Sequence, residues 1–167
     1  PEGRMLLFSW PSSSYLTYAE DAGDLEQSID EFNALLSLAV DTIGHERIVV
    51  MAHSMGSRGV VEALKGRGKE AQFRGAIFVA PDIRRDVFRE NVAMLQQKVS
   101  DIVVYMSDHD RALWLSTTVN VSGRLGVAKE FDLDHTTVID VTPTGINDIS
   151  GHLYHMLNPA VIEDLRV

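Results

Sequence analysis

A serine flanked by small residues, placed between a strand-like run and a helix-like run, constrains the fold of this chain most. The pentapeptide Ala52-His53-Ser54-Met55-Gly56 follows the apolar run 48–51 and precedes a helical pattern at 59–64. Strand, tight turn and helix in this order are typical of a nucleophile elbow, in which small neighbours keep the turn free of collisions. We therefore predict that the Ser54 hydroxyl is exposed at the carboxyl end of a sheet. The N–H of Met55 is expected to face the same side as the start of the helix.

The bulk composition is that of an ordinary globular domain, which we expect to span residues 1–167. The chain carries 15 basic and 24 acidic side chains, a net charge of −9, so phosphate repulsion argues against a general nucleic-acid binder. It contains no cysteine, which excludes disulfides, thiolate metal sites and a cysteine nucleophile within this sequence. No apolar run approaches the roughly 20 residues of a membrane span. No signal peptide is visible, and the compartment stays open.

Apolar runs and helical patterns alternate along the chain. Five runs have the character of strands buried on both faces: 5–8, 48–52, 76–80, 102–106 and 138–141. Between them lie a helical stripe over 25–43 with Asp24 able to cap it, and further helices after the Ser54 turn, over 86–97, over 111–119 and from Pro159. This alternation predicts a three-layer α/β fold with a mostly parallel sheet. Ligand sites in such sheets lie at the carboxyl ends of the strands.

Three aspartates follow predicted strands and could orient a catalytic histidine. A serine hydrolase needs an acid that holds its histidine in the correct tautomer, on a strand-end loop between serine and histidine in chain order. Asp82, Asp108 and Asp110 all qualify by position. Asp110 also precedes a predicted helix and is a natural N-cap there. We prefer Asp110, then Asp82, then Asp108, and the sequence alone does not settle between the first two.

The base is expected on the loop after the last strand, where His152 and His155 lie in Gly151-His152-Leu153-Tyr154-His155. His152 is favoured because the preceding glycine permits a close approach to the serine. His155 is expected to face the helix behind it. His53, the spacer inside the serine turn, is expected to pack or hydrogen-bond locally rather than react.

A hydrolytic metal site is the competing interpretation of these polar residues. Asp108, Asp110 and the neighbouring histidines supply enough oxygen and nitrogen ligands. None of their spacings is a recognised metal signature, and the serine turn would be left without a role. We therefore expect no metal. Trp10, after the first run, either packs over the sheet edge or forms one wall of a cleft.

Five segments in order along the chain resemble a known family: F-S-W-P-S, A-H-S-M-G, A-P-D-I, Y-M-S-D-H-D-R-A-L and G-H-L-Y. Together they are similar to the bacterial α/β-hydrolases grouped as "domain of unknown function 900", within the esterase/lipase superfamily. The resemblance runs nearly end to end. It implies an α/β-hydrolase fold and supports Ser54 as nucleophile, Asp110 as acid and His152 as base. It implies no particular ester.

The resemblance also implies parts that this sequence does not contain. In this fold the strand before F-S-W-P-S ends in a His-Gly loop, and a backbone N–H of that loop completes the oxyanion hole. That strand normally lies between the F-S-W-P-S strand and the serine strand. Because the sequence begins at Pro1, we expect an N-terminally truncated domain that lacks its first strands. Open strand edges would remain, and association with a second copy through them is one expected compensation.

The sequence therefore predicts a serine hydrolase that acts on carboxylic esters, lipid-like esters among them, without an organic cofactor. In this interpretation Ser54 attacks the acyl carbon, His152 transfers the proton and Asp110 orients His152. The N–H of Met55 is one oxyanion donor. A small-molecule ester is the expected partner, and three apolar side chains are expected to line its pocket: Trp10, Trp114 and Leu153. The alternative is a non-catalytic α/β-hydrolase-like module that binds a ligand or a protein partner.

Overall fold

The computed structural model describes residues 3–11, 18–68, 72–113, 123–127, 135–145 and 150–166. Its strands are β1 (Val49–His53), β2 (Phe73–Val79), β3 (Val99–Met106) and β4 (Thr137–Asp140). Its helices are α1 (Tyr18–Gln27), α2 (Ile29–Ile43), α3 (Gly56–Lys65), α4 (Arg85–Leu95), α5 (Tyr154–Leu157) and α6 (Pro159–Asp164). Single 3₁₀ turns cover His45–Arg47 and Thr142–Thr144.

The four strands form one sheet in the order β1-β2-β3-β4, and every neighbouring pair is parallel. The register sets His53 at the end of β1 opposite Val79 at the end of β2. The carboxyl ends of the strands therefore meet at a common edge, as predicted from the alternation of strands and helices. The connections from β1 to β2 and from β2 to β3 pass through α3 and α4, which return the chain to the opposite edge, where the next strand begins.

Helices pack on both faces of the sheet and complete three layers. On one face, side chains of α2, α3 and α4 such as Leu36, Leu64 and Phe88 join a core cluster with alternate residues of the strands. On the other face, Tyr154 of α5 and Val161 of α6 pack against a second cluster built on β2 to β4. Alternate strand residues supply the two clusters because successive side chains point to opposite faces. The α/β-hydrolase-like architecture predicted from the sequence is confirmed.

The first predicted strand is wrong. Residues 5–8 pair with no strand in the part of the chain that the structure describes, and Met5 and Leu7 are 92% and 81% exposed. An apolar run indicates that a segment favours burial, but it does not supply a neighbouring strand to pair with. The segment contacts the rest of the protein through Phe8, whose ring lies 5.1 Å from that of Phe32 in α2.

The second predicted strand exists as β1 but is buried on one face only. Val50 and Ala52 lie in the core, whereas Val49 and Met51 are 39% and 43% exposed. β1 lies at the edge of the described sheet, and the core cluster on that side takes no residue from it. The continuous apolar run therefore did not reveal the difference between a central strand and an edge strand.

The predicted helical stripe over 25–43 is divided into two helices. Asp24 lies inside α1 rather than at a helix start, and the division falls at Ser28, whose Oγ donates a hydrogen bond to the Asp24 carbonyl. A serine that bonds back to the preceding turn competes with helical continuation. The helices predicted over 86–97 and from Pro159 are present as α4 and α6. In the described part of the chain, no helix combines the length and apolarity needed to cross a membrane.

Candidate active site

Ser54 lies in a tight turn between β1 and α3 and has a left-handed backbone, with φ of 52°. Its N–H donates a 3.0 Å hydrogen bond to Val79 O, which extends the β1–β2 pairing by one residue. Its carbonyl accepts hydrogen bonds of 3.1 Å from the N–H groups of Ser57 and Asp82. A left-handed φ is costly for a residue with a Cβ and persists only where surrounding bonds hold it. Here three backbone bonds do so.

The two glycines that follow Ser54, Gly56 and Gly59, differ in how closely other residues approach them. Among the described residues, a Cβ added at Gly56 would meet the Trp10 ring alone, at 3.5 Å, which is ordinary van der Waals contact. The expected collision with a strand or helix does not occur there. The close approach is at Gly59, where a Cβ would lie 3.0 Å from Leu25 of α1. The glycine that permits helix packing is thus one turn into α3.

Asp110 and His152 are joined by a hydrogen bond in the interior of the protein. His152 Nδ1 lies 2.7 Å from Asp110 Oδ2, and both side chains are less than 5% exposed. Asp110 Oδ1 also accepts a 2.9 Å hydrogen bond from the N–H of Leu113. This is N-cap geometry for the helical residues 111–113. The carboxylate therefore serves the histidine with one oxygen and the helix start with the other.

The loops that carry Asp110 and His152 are packed backbone against backbone. The N–H of Arg111 donates a 2.8 Å hydrogen bond to Ser150 O. Gly151 has φ of 65°, and a Cβ there would lie 2.1 Å from the carbonyl oxygen of His109. We expected this glycine to permit an approach to the serine. In the structure it permits the approach of the base loop to the acid loop.

Asp82 has partners other than a histidine. Its Oδ1 lies 2.9 Å from Arg124 Nε, and its Oδ2 lies 3.3 Å from a terminal nitrogen of Arg58. Arg58 Nε also donates a 2.8 Å hydrogen bond to the Asp82 carbonyl. Asp82 and Arg124 are both buried. The N–H of Asp82 also donates a hydrogen bond to Ser54 O. The ion pairs of Asp82 therefore help to stabilise the backbone of the serine turn.

Asp108, the third candidate acid, is exposed. Its N–H donates a 2.9 Å hydrogen bond to Thr142 Oγ1. Of the three aspartates that follow strands, Asp110 is the one hydrogen-bonded to His152.

Three imidazole rings lie together beside the serine turn. The His53 ring is 4.5 Å from that of His152 and 4.1 Å from that of His155. Burial, then the nearby His152 and His155, lower the pKa of His53 to about 3. Burial, then His152, lowers the pKa of His155 to about 4. His53 packs in this cluster as expected, but its hydrogen bond is not local, because its Nε2 lies 3.1 Å from the carbonyl oxygen of His152. His155 stacks on the His53 ring and also faces Tyr154.

Two of the three predicted pocket residues lie beside this site. Trp10 is half-buried over Gly56 at the start of α3. Leu153 is half-buried directly after His152. Trp114 lies outside the described residues. Among the residues that are described, no group of three or more His, Asp or Glu side chains is arranged to hold a metal ion.

Tyr154 is a site-building residue that the sequence analysis did not single out. Its buried hydroxyl accepts a 2.8 Å hydrogen bond from Ala80 N–H and donates one of 3.0 Å to Tyr105 O. Burial, with the nearby Asp110 carboxylate, raises the pKa of this hydroxyl. Tyr154 thus ties the base loop to the ends of β2 and β3. Its position two residues after His152, at the start of the helix that follows the base loop, was the available signal.

Comparison with known proteins agrees with this architecture. The family model described as "Alpha/beta hydrolase of unknown function (DUF900)" matches residues 1–166. The resemblance drawn from five short segments is therefore confirmed over almost the whole chain. No curated protein and no solved structure matches the chain.

Proposed function

Because the chain belongs to the α/β-hydrolase family of unknown function DUF900, we propose that it is a serine hydrolase of carboxylic esters, lipid-like esters among them. The observation that carries the proposal is the buried 2.7 Å hydrogen bond between Asp110 and His152. It lies at the sheet edge where Ser54 follows β1 on a strained turn. A serine, a histidine and a buried acid at one edge are the parts of an acyl-transfer site.

The protonation pattern supports His152 as the base. An ionised Asp110 accepts this bond from Nδ1–H, which leaves the lone pair of a neutral His152 on Nε2. In the first step Nε2 takes the Ser54 hydroxyl proton as Oγ bonds to the acyl carbon. The alcohol then leaves with that proton, and the acyl group remains on Ser54. Water, activated by the same nitrogen, breaks the acyl–Oγ bond and restores the serine.

Met55 offers one donor for the oxyanion. Its N–H donates no hydrogen bond to any described residue, and Met55 precedes the first residue of α3. The aligned peptide dipoles of a helix place partial positive charge at this end. Negative charge that develops on the acyl oxygen during attack would be stabilised there.

The acyl group of the substrate is assigned to the apolar side chains beside the site. Trp10 lies against Gly56, and Leu153 directly follows the base in the chain. Both side chains are half-buried, so each retains surface that an acyl chain can cover. Apolar walls with few polar groups suit the acyl part of an ester.

A fluorophosphonate probe tests this proposal without knowledge of the substrate. Such a probe reacts with an activated serine, so we expect covalent labelling at Ser54. The labelling is measured by mass spectrometry. Ser54→Ala and His152→Ala should abolish it, whereas Ser57→Ala, which removes a neighbouring hydroxyl, should retain it.

The contrary outcome is equally clear. Absence of labelling, with the native fold verified by circular dichroism, would overturn the catalytic assignment. The α/β-hydrolase-like binding module would then be the better description. Labelling that survives Ser54→Ala would place the reactive serine elsewhere.

A further inference from the structure

His53 links the serine turn to the loop that carries the base. Its Nε2 lies 3.1 Å from the main-chain carbonyl oxygen of His152. Because a carbonyl only accepts, the Nε2 atom carries a proton and donates. His53 is the last residue of β1 and directly precedes Ser54. The bond thus connects the strand that positions the serine to the residue that carries the base.

The ring of His53 is held in place as well as bonded. It lies 4.5 Å from the His152 ring, tilted by 51°, and 4.1 Å from the His155 ring, tilted by 32°. Burial disfavours a charge on it most, and the titratable groups that bear on it, these two imidazoles, disfavour a charge as well. With its pKa lowered to about 3, His53 stays a neutral donor over the pH range in which histidines ordinarily titrate.

Further hydrogen bonds join the base loop to other parts of the protein. Asp110 and the Ser150 carbonyl join it to the acid loop, and Tyr154 joins it to β2 and β3. These bonds fix the orientation of His152 relative to the sheet. The bond from His53 fixes the backbone of His152 relative to His53, which directly precedes Ser54. An error of about 1 Å in such a distance can cost on the order of 10²-fold in rate.

We propose that His53 is a positioning residue, whose Nε2–H bond to the His152 carbonyl sets the spacing between base and nucleophile. The proposal rests on the serine hydrolase function proposed above. His53 touches neither the acyl carbon nor the proton in transfer, so it acts through His152. In this proposal the role of His53 in the serine turn depends on its ability to donate a hydrogen bond.

Three variants separate the hydrogen bond from the ring packing. His53→Phe keeps a flat ring and loses the donor. His53→Gln loses the ring and keeps an N–H donor at the matching position. His155→Phe is the control, because it keeps the stack while its buried Nδ1 has no hydrogen-bond partner among the described residues. His53→Met, a second side chain without a donor, replaces the phenylalanine variant if that one does not fold.

The first measurement is kcat and KM for a short-chain nitrophenyl ester. We expect His53→Phe to lower kcat about 10- to 100-fold at similar KM. His53→Gln should recover most of this loss, and His155→Phe should stay within about twofold of the unmodified protein. Unchanged kcat in His53→Phe, or equal losses in His53→Phe and His53→Gln, would overturn the proposal.

A second measurement does not depend on catalysis. The proton on His152 Nδ1, held against Asp110, should give a far-downfield resonance in the proton NMR spectrum. We expect this resonance to shift or broaden in His53→Phe and to remain in His155→Phe. A chain that hydrolyses no ester but shows this pattern would refute the proposed function and leave the positioning contact standing. An unaltered resonance in His53→Phe refutes the positioning role itself.

Discussion

Asp110 holds His152 through one carboxylate oxygen, Oδ2, at 2.7 Å, while the other oxygen remains bonded to the backbone of Leu113 at 2.9 Å. The two bonds fix the carboxylate in its plane, so the imidazole meets an acceptor that cannot rotate away. The helix start at residues 111–113 therefore contributes to the orientation of the base. A carboxylate with both oxygens engaged is also well satisfied in the interior.

Asp110→Asn should remove the function of the acid while preserving the helix cap. The amide oxygen can still accept from Leu113, but the amide nitrogen would face His152 Nδ1 and favour the wrong tautomer. We expect the rate of fluorophosphonate labelling to fall by roughly 10⁴-fold, as in serine proteases with this change. Asp108→Asn, at an exposed carboxylate, is the control and should label normally. Equal rates in the two variants would contradict the assignment of Asp110.

Acid should destabilise the protein partly through His53. The pKa of this residue is about 3 in the folded protein, against the ordinary value of 6.5. Below pH 6.5 the unfolded chain therefore binds a proton that the folded chain does not, until pH falls to about 3. This favours unfolding by up to about 1.4 kcal/mol for each pH unit in that interval.

Urea unfolding at pH 7.5 and pH 5 tests this contribution. His53→Gln cannot titrate at this position, so its free energy of unfolding should fall less than that of the unmodified protein over the same interval. Parallel falls in the two proteins would show that His53 is not held neutral by the fold.

Asp82→Asn should lower stability more than any surface charge change. Asp82 and Arg124 are a buried pair at 2.9 Å, and removal of one member of a buried pair typically costs about 3–5 kcal/mol. Glu163→Gln is the matched control. It breaks the pair with Arg166, in which the side chains are 74% and 72% exposed, and should cost less than about 0.5 kcal/mol. Denaturant unfolding measures both, and similar values would contradict the structural role of Asp82.

Alanine substitutions at two glycines with positive φ should distinguish the effect of backbone strain on stability from that of steric contact. Gly145→Ala, at φ of 87° and ψ of 179° with no described atom within 4 Å of the added Cβ, should cost about 1–3 kcal/mol for a backbone conformation that is essentially restricted to glycine. Gly151→Ala adds a Cβ at 2.1 Å from His109 O and should cost clearly more. It should also reduce labelling, because the base and acid loops must separate. Equal stability of the two variants would show that the loops can move apart freely.

The sequence was informative about the site because a parallel sheet collects its strand ends at one edge. Ser54, Asp82 and Asp110 could all be assigned to that edge without a structure. The choice of the triad acid among the aspartates needed side-chain contacts. Nothing in the residue spacing shows that Asp82 forms ion pairs with Arg58 and Arg124. The ring cluster around His53 was likewise hidden, because it joins residues about 100 positions apart.

The errors in the predicted fold concern apolar runs, because the composition of a run does not show which elements pack against it. Residues 5–8 are as apolar as a buried strand but pair with no described strand. The exposed side of β1 has the same origin, since Val49 and Met51 would suit a core position equally well. Residue type predicts a preference for burial, whereas burial itself depends on what packs alongside.

The contacts of His152 also bear on how the protein folds. They reach 42 residues back to Asp110 and 99 residues back to His53. Contacts of such sequence separation require large loops to close and form slowly relative to local structure. The site should therefore be completed only after β1, β3 and the C-terminal segment have come together. During refolding, recovery of a reactive serine would then mark the end of the reaction, later than the recovery of helical signal.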